Sequence, residues 1–212
     1  MKLSLQKVLP TSINENLIKS SKIWGNELVF ESGSQNIIQA SSGTGKSTLV
    51  KLITGVYAPK AGSISYNDFI LNESSKDQLC QFRQDSLSTV FQDMQLIGSL
   101  TGRENIMINF PTDEFLNSKL ESLINDFKIE KVIDHRADTL SLGEQQRVAI
   151  IRALAKPYTW LIMDEPFSHL DKENGQVAFD RILEDAANKK AGIIMTSLGN
   201  ENFIHDLKTI EL

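Results

Sequence analysis

Apolar residues recur at Leu3, Leu5 and Val8, and again at Leu28 and Phe30 within Glu27-Leu-Val-Phe-Glu31, the pattern of strands with one buried face. Gly33 then predicts a turn, followed by a short strand at Asn36–Gln39. A glycine-containing loop from Ser41 to Gly45 leads into a predicted helix from Lys46 to Thr54. Further strands are expected at Gly62–Tyr66 and Leu87–Phe91. From about Thr101 to Lys156 the helical period dominates, with Phe115, Leu116, Leu120, Leu123, Ile124 and Phe127 three and four residues apart. Trp160–Met163 is a continuous apolar run, expected of a strand buried on both faces. A helix near Asn174–Lys190 and a strand at Gly192–Thr196 complete the pattern. Strands alternating with helices predict an α/β fold with a mostly parallel sheet covered on both sides. The helical block in the middle reads as an inserted subdomain.

Composition narrows the class without changing that picture. The chain has 212 residues, 41% of them hydrophobic and 23% charged, enough for a sizeable core in one domain. A formal net charge of -5 argues against nucleic acid as the main partner. The one cysteine, Cys80, offers neither an internal disulfide nor a metal-ligand spacing, which fits a reduced, cytoplasmic setting. Its expected role is that of a small buried hydrophobe. Residues 1–10 lack the apolar core of a signal peptide, and no run approaches the length needed to cross a bilayer. His135, His169 and His205 lie too far apart in sequence for a metal motif.

Chemistry enters at Ser41-Ser-Gly-Thr-Gly-Lys-Ser-Thr48, placed between a predicted strand and a predicted helix, the context a phosphate-binding loop requires. Gly43 and Gly45 allow successive N–H groups to point inward as an anion nest, and the helix start adds its partial positive charge. Ser42, Gly43, Thr44, Gly45, Lys46, Ser47 and Thr48 are therefore the candidate nucleotide-binding residues, for ATP or GTP. Lys46 is placed for the β and γ phosphates and Ser47 for Mg²⁺. Ala40 stands where the pattern has its first glycine, a tolerable change unless that position needs positive φ. Asp164 and Glu165 end a buried strand at the edge where such sheets present ligand-facing residues. Asp164 is the candidate Mg²⁺ holder and Glu165 the candidate general base.

Leu140-Ser-Leu-Gly-Glu-Gln-Gln-Arg147 and the Val148–Leu154 run after it resemble the signature motif of ATP-binding cassette (ABC) ATPases. Val90-Phe-Gln-Asp93 resembles their Q-loop and Ser168-His-Leu-Asp171 their D-loop, so the resemblance spans nearly the whole chain. The stretch Phe91–Ile108, with Arg103-Glu-Asn-Ile106, is most similar to lipoprotein-release, macrolide-export and cell-division cassettes. The resemblance implies a P-loop core with a small antiparallel β subdomain, forming a single domain over residues 1–212 with a helical subdomain inserted at about 93–155. It implies ATP and Mg²⁺ as ligands, and two cassettes, identical or different, pairing head to tail. Each ATP would then lie between one P-loop and the other protomer's Ser141, Leu142, Gly143 and Glu144. Gln92 would join the metal site and couple it to the helical insertion, and Asp171 would connect the two sites. A transmembrane subunit on a separate chain would be the partner, with this chain peripheral on the inner face of the membrane.

Departures from the family pattern qualify those expectations. Leu142 replaces the signature's first glycine, while Gly143 retains the second. Ser197 stands where the family has a switch histidine. Serine can hydrogen-bond but carries no charge, so hydrolysis is expected to be slow or to depend on a partner cassette. The adenine-stacking aromatic of the family is missing from Val8–Lys22, leaving Trp24 as either that platform or a core residue. Two functions remain open: powering transport or extraction of a lipid-linked or amphipathic substrate, and a nucleotide switch of the cell-division type.

Overall fold

The computed structural model describes residues 1–11, 15–108, 114–199, 201–205 and 207–212. In chain order it contains β1 (Lys2–Leu9), α1 (Glu15–Ser20), β2 (Glu27–Glu31), β3 (Gln35–Gln39), α2 (Lys46–Ile53), β4 (Ala61–Tyr66) and β5 (Phe69–Ile70). Next come α3 (Lys76–Ser86), β6 (Leu87–Val90), α4 (Gly102–Met107), α5 (Glu114–Asp126) and α6 (Leu142–Ala155). The chain closes with β7 (Trp160–Asp164), α7 (Lys172–Lys189), β8 (Gly192–Ser197) and β9 (Lys208–Glu211). A four-stranded antiparallel sheet runs β2-β1-β4-β5, and a five-stranded parallel sheet runs β6-β7-β8-β3-β9.

The parallel sheet divides two cores, and its side chains alternate between them as the strand period requires. Ile37, Leu161, Met163, Ile193 and Met195 face a core built with α5, α6 and α7. Ile38, Trp160, Ile162 and Ile194 face a second core shared with α2 and with Leu3, Leu5, Ile64 and Tyr66 of the antiparallel sheet. Burial on both faces is why Trp160–Met163 carries no polar residue. The side chains of Phe115 and Leu116, part of the predicted helical stripe, lie outside the described residues. Leu120, Leu123, Ile124 and Phe127 of that stripe are buried.

The spacing of Leu3, Leu5 and Val8 breaks strict alternation because β1 is bulged. Its register against β4 shifts between Gln6 and Leu9, and Lys7 has φ 50°. Gly62 lies opposite with φ 83°, where an added Cβ would meet the Gln6 carbonyl oxygen at 2.3 Å. Only glycine fits there. A Gly62→Ala variant is expected to lose about 2–3 kcal/mol of stability from strain and close contact, read as a lower denaturation midpoint at unchanged m-value.

One sequence expectation is corrected, and one open alternative is decided. Cys80 is exposed, because α3 presents no fully buried residue and rests lightly on β6. Trp24 is 2% exposed and packs in the second core, so it is not a surface platform for a base. Elements absent from the sequence reading are α1, α3, β5 and β9. Of these, α3 had a signal: Ser75 and Gln78 form a reciprocal capping box at its start.

Away from the carboxyl edge of the sheet lies a buried ionic cluster. Asp185 of α7 pairs with Lys119 of α5 at 2.5 Å and with Lys189 at 2.7 Å, and accepts the Tyr158 hydroxyl at 2.7 Å. Lys189 also donates to the carbonyls of Leu154 and Lys156, tying α7 to the end of α6. Burial alone would raise the Asp185 carboxyl, but its lysine hydrogen bonds outweigh that and hold it below the usual range. Burial pushes Lys189 down to about 8.

Candidate active site

The carboxyl ends of β3, β6, β7 and β8 lie side by side, with Gln39 opposite Ser197, Asp164 opposite Thr196 and Val90 opposite Met163. Each strand therefore delivers its following loop to the same edge, where parallel sheets place their ligand sites. From β3 the loop runs through Gly43, at φ 79°, and Gly45, at φ 106°, into the start of α2. Ala40 is not among the positive-φ residues, so alanine introduces no strain at that position. Its N–H donates to the Ser197 carbonyl at 3.3 Å, closing the loop onto β8.

Lys46 is buried beneath this loop. Its Nζ donates to the carbonyls of Ala40 and Ser41 at 2.8 and 3.1 Å and pairs with Glu165 Oε1 at 3.1 Å. Ser47 Oγ lies 3.4 Å from Gln92 Oε1, and Gln92 Nε2 lies 3.5 Å from Glu165 Oε2. The second of these is at the outer limit of a hydrogen bond. Asp164 and Glu165 are 2% and 9% exposed. Thr196 holds them together: its hydroxyl donates to Asp164 Oδ1 at 2.7 Å and accepts the Glu165 N–H at 3.0 Å. Glu165 has φ 47°, a left-handed conformation unusual for a side chain of its size. Strain of this kind gathers at functional sites because the surroundings over-determine it. Lys46, Ser47 and Gln92 thus connect to Glu165, and Asp164 joins it through Thr196, which the sequence reading did not single out.

Gln92 is followed by a backbone irregularity with its own support. Met94 and Gln95 are consecutive left-handed residues, at φ 56° and 49°. Arg152 of α6 donates to both of their carbonyls, at 2.5 and 2.9 Å. Arg152 thereby ties the segment after Gln92 to the signature helix.

Ser197 is buried, and its hydroxyl is fully engaged. It donates to the Glu201 carboxylate and accepts the Gly199 N–H at 2.7 Å, forming a turn at the end of β8. Glu165, Ser168, Lys172 and Glu201 line a cavity of about 370 Å³ beside that turn. Glu201 had no signal in the sequence because only the turn brings it back toward β7.

Ser141 and Asp171 occupy helix starts elsewhere in the chain. Ser141 caps α6 in a reciprocal box with Glu144: the Ser141 N–H and hydroxyl donate to Glu144 Oε2 at 2.8 and 2.7 Å. Those bonds from Ser141 hold the Glu144 carboxyl below its usual range. Leu142 is 55% exposed on the first turn of α6, so replacing glycine there fills no internal space. A Cβ on Gly143 would meet the His169 carbonyl oxygen at 3.0 Å, which sets the signature beside the 168–171 loop. Asp171 caps α7 by accepting the Asn174 N–H at 2.9 Å. Hydrogen bonds from the Asn174 backbone and side chain lower its pKa.

Among the described residues, no cluster of three or more His, Cys, Asp or Glu side chains could hold a metal, and no helix is long and apolar enough to cross a membrane. A hard dication that keeps several waters needs only one or two protein oxygens plus phosphates. Ser47 Oγ, Gln92 Oε1 and the Asp164 carboxylate supply such a set, so the residues fit Mg²⁺.

Residues 26–168 match the family model described as ABC transporter. The lipoprotein-releasing system ATP-binding protein LolD of Buchnera aphidicola subsp. Schizaphis graminum is 34% identical over 188 residues, covering 87% of this chain and 79% of that protein. An uncharacterized ABC transporter ATP-binding protein of Mycobacterium tuberculosis is 35% identical over 173 residues, covering 79% of this chain and 69% of its own. The fold is also that of the ATP-binding cassette MJ0796, solved as a post-hydrolysis dimer bound to ADP and Pi. That structure superposes with a TM-score of 0.82 over 99% of this chain and 96% of that one, at 23% identity. With an α/β P-loop core, an antiparallel β portion and a family match across most of its length, this chain belongs to the ABC transporter family as an ATP-binding cassette ATPase.

Proposed function

We propose that this chain is the MgATP-hydrolysing subunit of a membrane complex, closing with a second cassette on ATP to drive a separate transmembrane partner. The substrate class we infer is lipid-linked or amphipathic, supported by 34% identity to a lipoprotein-releasing ATP-binding protein. The observation that carries the catalytic reading is the connection of Lys46, Ser47, Gln92, Asp164 and Glu165 at one sheet edge. Ser42 to Thr48 cradle the phosphates, and Lys46 exchanges its pairing with Glu165 for phosphate oxygens. Bound Mg²⁺ would neutralise charge building on the β and γ oxygens, held by Ser47, Gln92 and Asp164. Glu165, released from Lys46, accepts a proton from the water whose oxygen attacks the γ-phosphorus as the bond to the bridging oxygen breaks. Ser141, Leu142, Gly143 and Glu144 serve the second protomer's nucleotide, and Asp171 couples the two sites. The helical insertion at about 93–155 carries the force to the membrane partner through Gln92, and the chain works peripherally on the inner membrane face.

Ser197 favours a second reading, a slow nucleotide switch acting through a membrane partner without transport. Its hydroxyl is spent on Gly199 and Glu201, leaving no hydrogen for a phosphate oxygen. Loss of one transition-state donor costs roughly 10²–10³ in rate. The test is phosphate release by the protein alone and reconstituted with its membrane partner, beside Ser197→His. Turnover that rises in Ser197→His with substrate movement in vesicles supports the transport engine. Partner activation without substrate movement supports the switch, and ATP binding with no turnover in any assembly sinks the enzymatic reading.

A further inference from the structure

We propose that Glu201 sets the preference between triphosphate and diphosphate nucleotides, its carboxylate opposing the negative charge of a γ-phosphate. The inference rests on the reading of Lys46 and Glu165 as the groups that flank that phosphate. Ser197 fixes the carboxylate from inside the fold. Its hydroxyl, on a residue 1% exposed, donates to Glu201 Oε2 and accepts the Gly199 N–H at 2.7 Å. The backbone of Ser197 is tied to the phosphate loop. Its carbonyl accepts the Ala40 N–H at 3.3 Å, and the Ala40 carbonyl accepts Lys46 Nζ at 2.8 Å. Glu201 therefore hangs from the strand end to which the phosphate lysine is already connected. It also lines the cavity of about 370 Å³ that Glu165 lines, and Glu165 Oε1 lies 3.1 Å from Lys46 Nζ.

The segment that carries Glu201 is anchored. Two residues on, Phe203 is 8% exposed and packs edge-on against Phe167, with ring centroids 5.3 Å apart. A Cβ on Gly175 would meet the Phe203 ring at 2.6 Å, so α7 comes too close to that ring for a side chain there. The Ile204 N–H closes the turn on the Glu201 carbonyl at 3.2 Å. Charge decides what this placement does. Glu165 has Lys46 as its counterion until phosphate oxygens take the lysine, and both carboxylates then oppose the γ-phosphate. Lys172 is the cation on that cavity wall, exposed on the first turn of α7. Its charge is screened by solvent, whereas the half-buried Glu201 is held by a buried hydroxyl. A diphosphate lacks the group that this charge opposes, so Glu201 weakens triphosphate binding alone. The same repulsion favours departure of orthophosphate after hydrolysis.

Calorimetric titration of Glu201→Gln with MgADP and with the magnesium complex of adenylyl imidodiphosphate, a non-hydrolysed triphosphate, tests this. Glutamine keeps an oxygen for the Ser197 hydroxyl and drops the charge. The triphosphate is expected to bind about three- to ten-fold more tightly than to wild type, with MgADP unchanged. Triphosphate binding at wild-type strength would make Glu201 a clamp on the turn and overturn the proposal, as would equal gains for both nucleotides. Lys46→Ala reports separately on the phosphate reading and is expected to lose both nucleotides. If it binds both as wild type does, that reading fails and the Glu201 inference falls with it. If it loses both while Glu201→Gln changes neither, only the Glu201 inference falls.

Discussion

Glu165→Gln is expected to lower steady-state ATP turnover by about 10²–10⁴-fold while nucleotide binding is retained or tightened. Glutamine keeps the size and the left-handed backbone at this position but cannot accept a proton from water. The ground state shifts in the opposite direction. In the wild type Lys46 pairs with Glu165 at 3.1 Å, with side chains 4% and 11% exposed, so phosphate oxygens must compete with a buried carboxylate for the same ammonium. A neutral amide gives up that competition and removes a negative charge from the neighbourhood of the γ-phosphate. Phosphate release alongside equilibrium MgATP binding distinguishes the two effects. Wild-type turnover in Glu165→Gln would remove Glu165 from the role of general base, whatever binding does.

Asp185→Ala should be the most damaging change outside the site. It leaves Lys119 and Lys189 without their shared carboxylate and the Tyr158 hydroxyl without its acceptor. Breaking a buried pair from one side costs about 3–5 kcal/mol. Lys119, with its side chain 31% exposed, can turn toward solvent, which argues for the lower end. At about 3 kcal/mol, a chain of this length loses roughly 6–12 °C in Tm.

The pH dependence of that loss has a definite sign. Asp185 has its folded pKa depressed, so its contribution is present above the unfolded value near 3.8 and is lost as pH falls through the folded value. The Tm gap between wild type and Asp185→Asn should therefore close on acidification below pH 4. Lys189, pushed down to about 8 by burial, acts in the same direction at higher pH. The unfolded chain binds more protons between about 8 and 10.5, so this group's burial penalty is relieved as pH rises through that window. A gap that stays constant from neutral pH to below the folded pKa would mean that Asp185 packs there without working as a charge.

Local spacing was sufficient for the parts of this protein that act through neighbouring residues. The phosphate loop is one such part, because two glycines, a helix start and Lys46 fall within a few residues of each other. The signature was legible only as a resemblance to the family motif, and the structure adds that Ser141 and Glu144 cap one helix reciprocally. The buried strand Trp160–Met163 was legible because a strand covered on both faces has no polar alternation to lose. The bulge at Lys7 was already present as the three-residue step from Leu5 to Val8, although it acquires meaning only beside Gly62.

What the tertiary structure decided depends on chain segments that meet across the sheet. Asp164 and Glu165 are clamped by Thr196, 32 and 31 residues away, through a hydroxyl whose role no local pattern announces. Arg152 steadies Met94 and Gln95 from 58 and 57 residues further along the chain. The same logic moved Trp24 into the core, since exposure is set by what packs above a side chain. Residue type and spacing thus determined the chemistry this chain carries. Parallel strand order determined where that chemistry meets, because only hydrogen-bonded neighbours in a sheet bring distant loop starts to one edge.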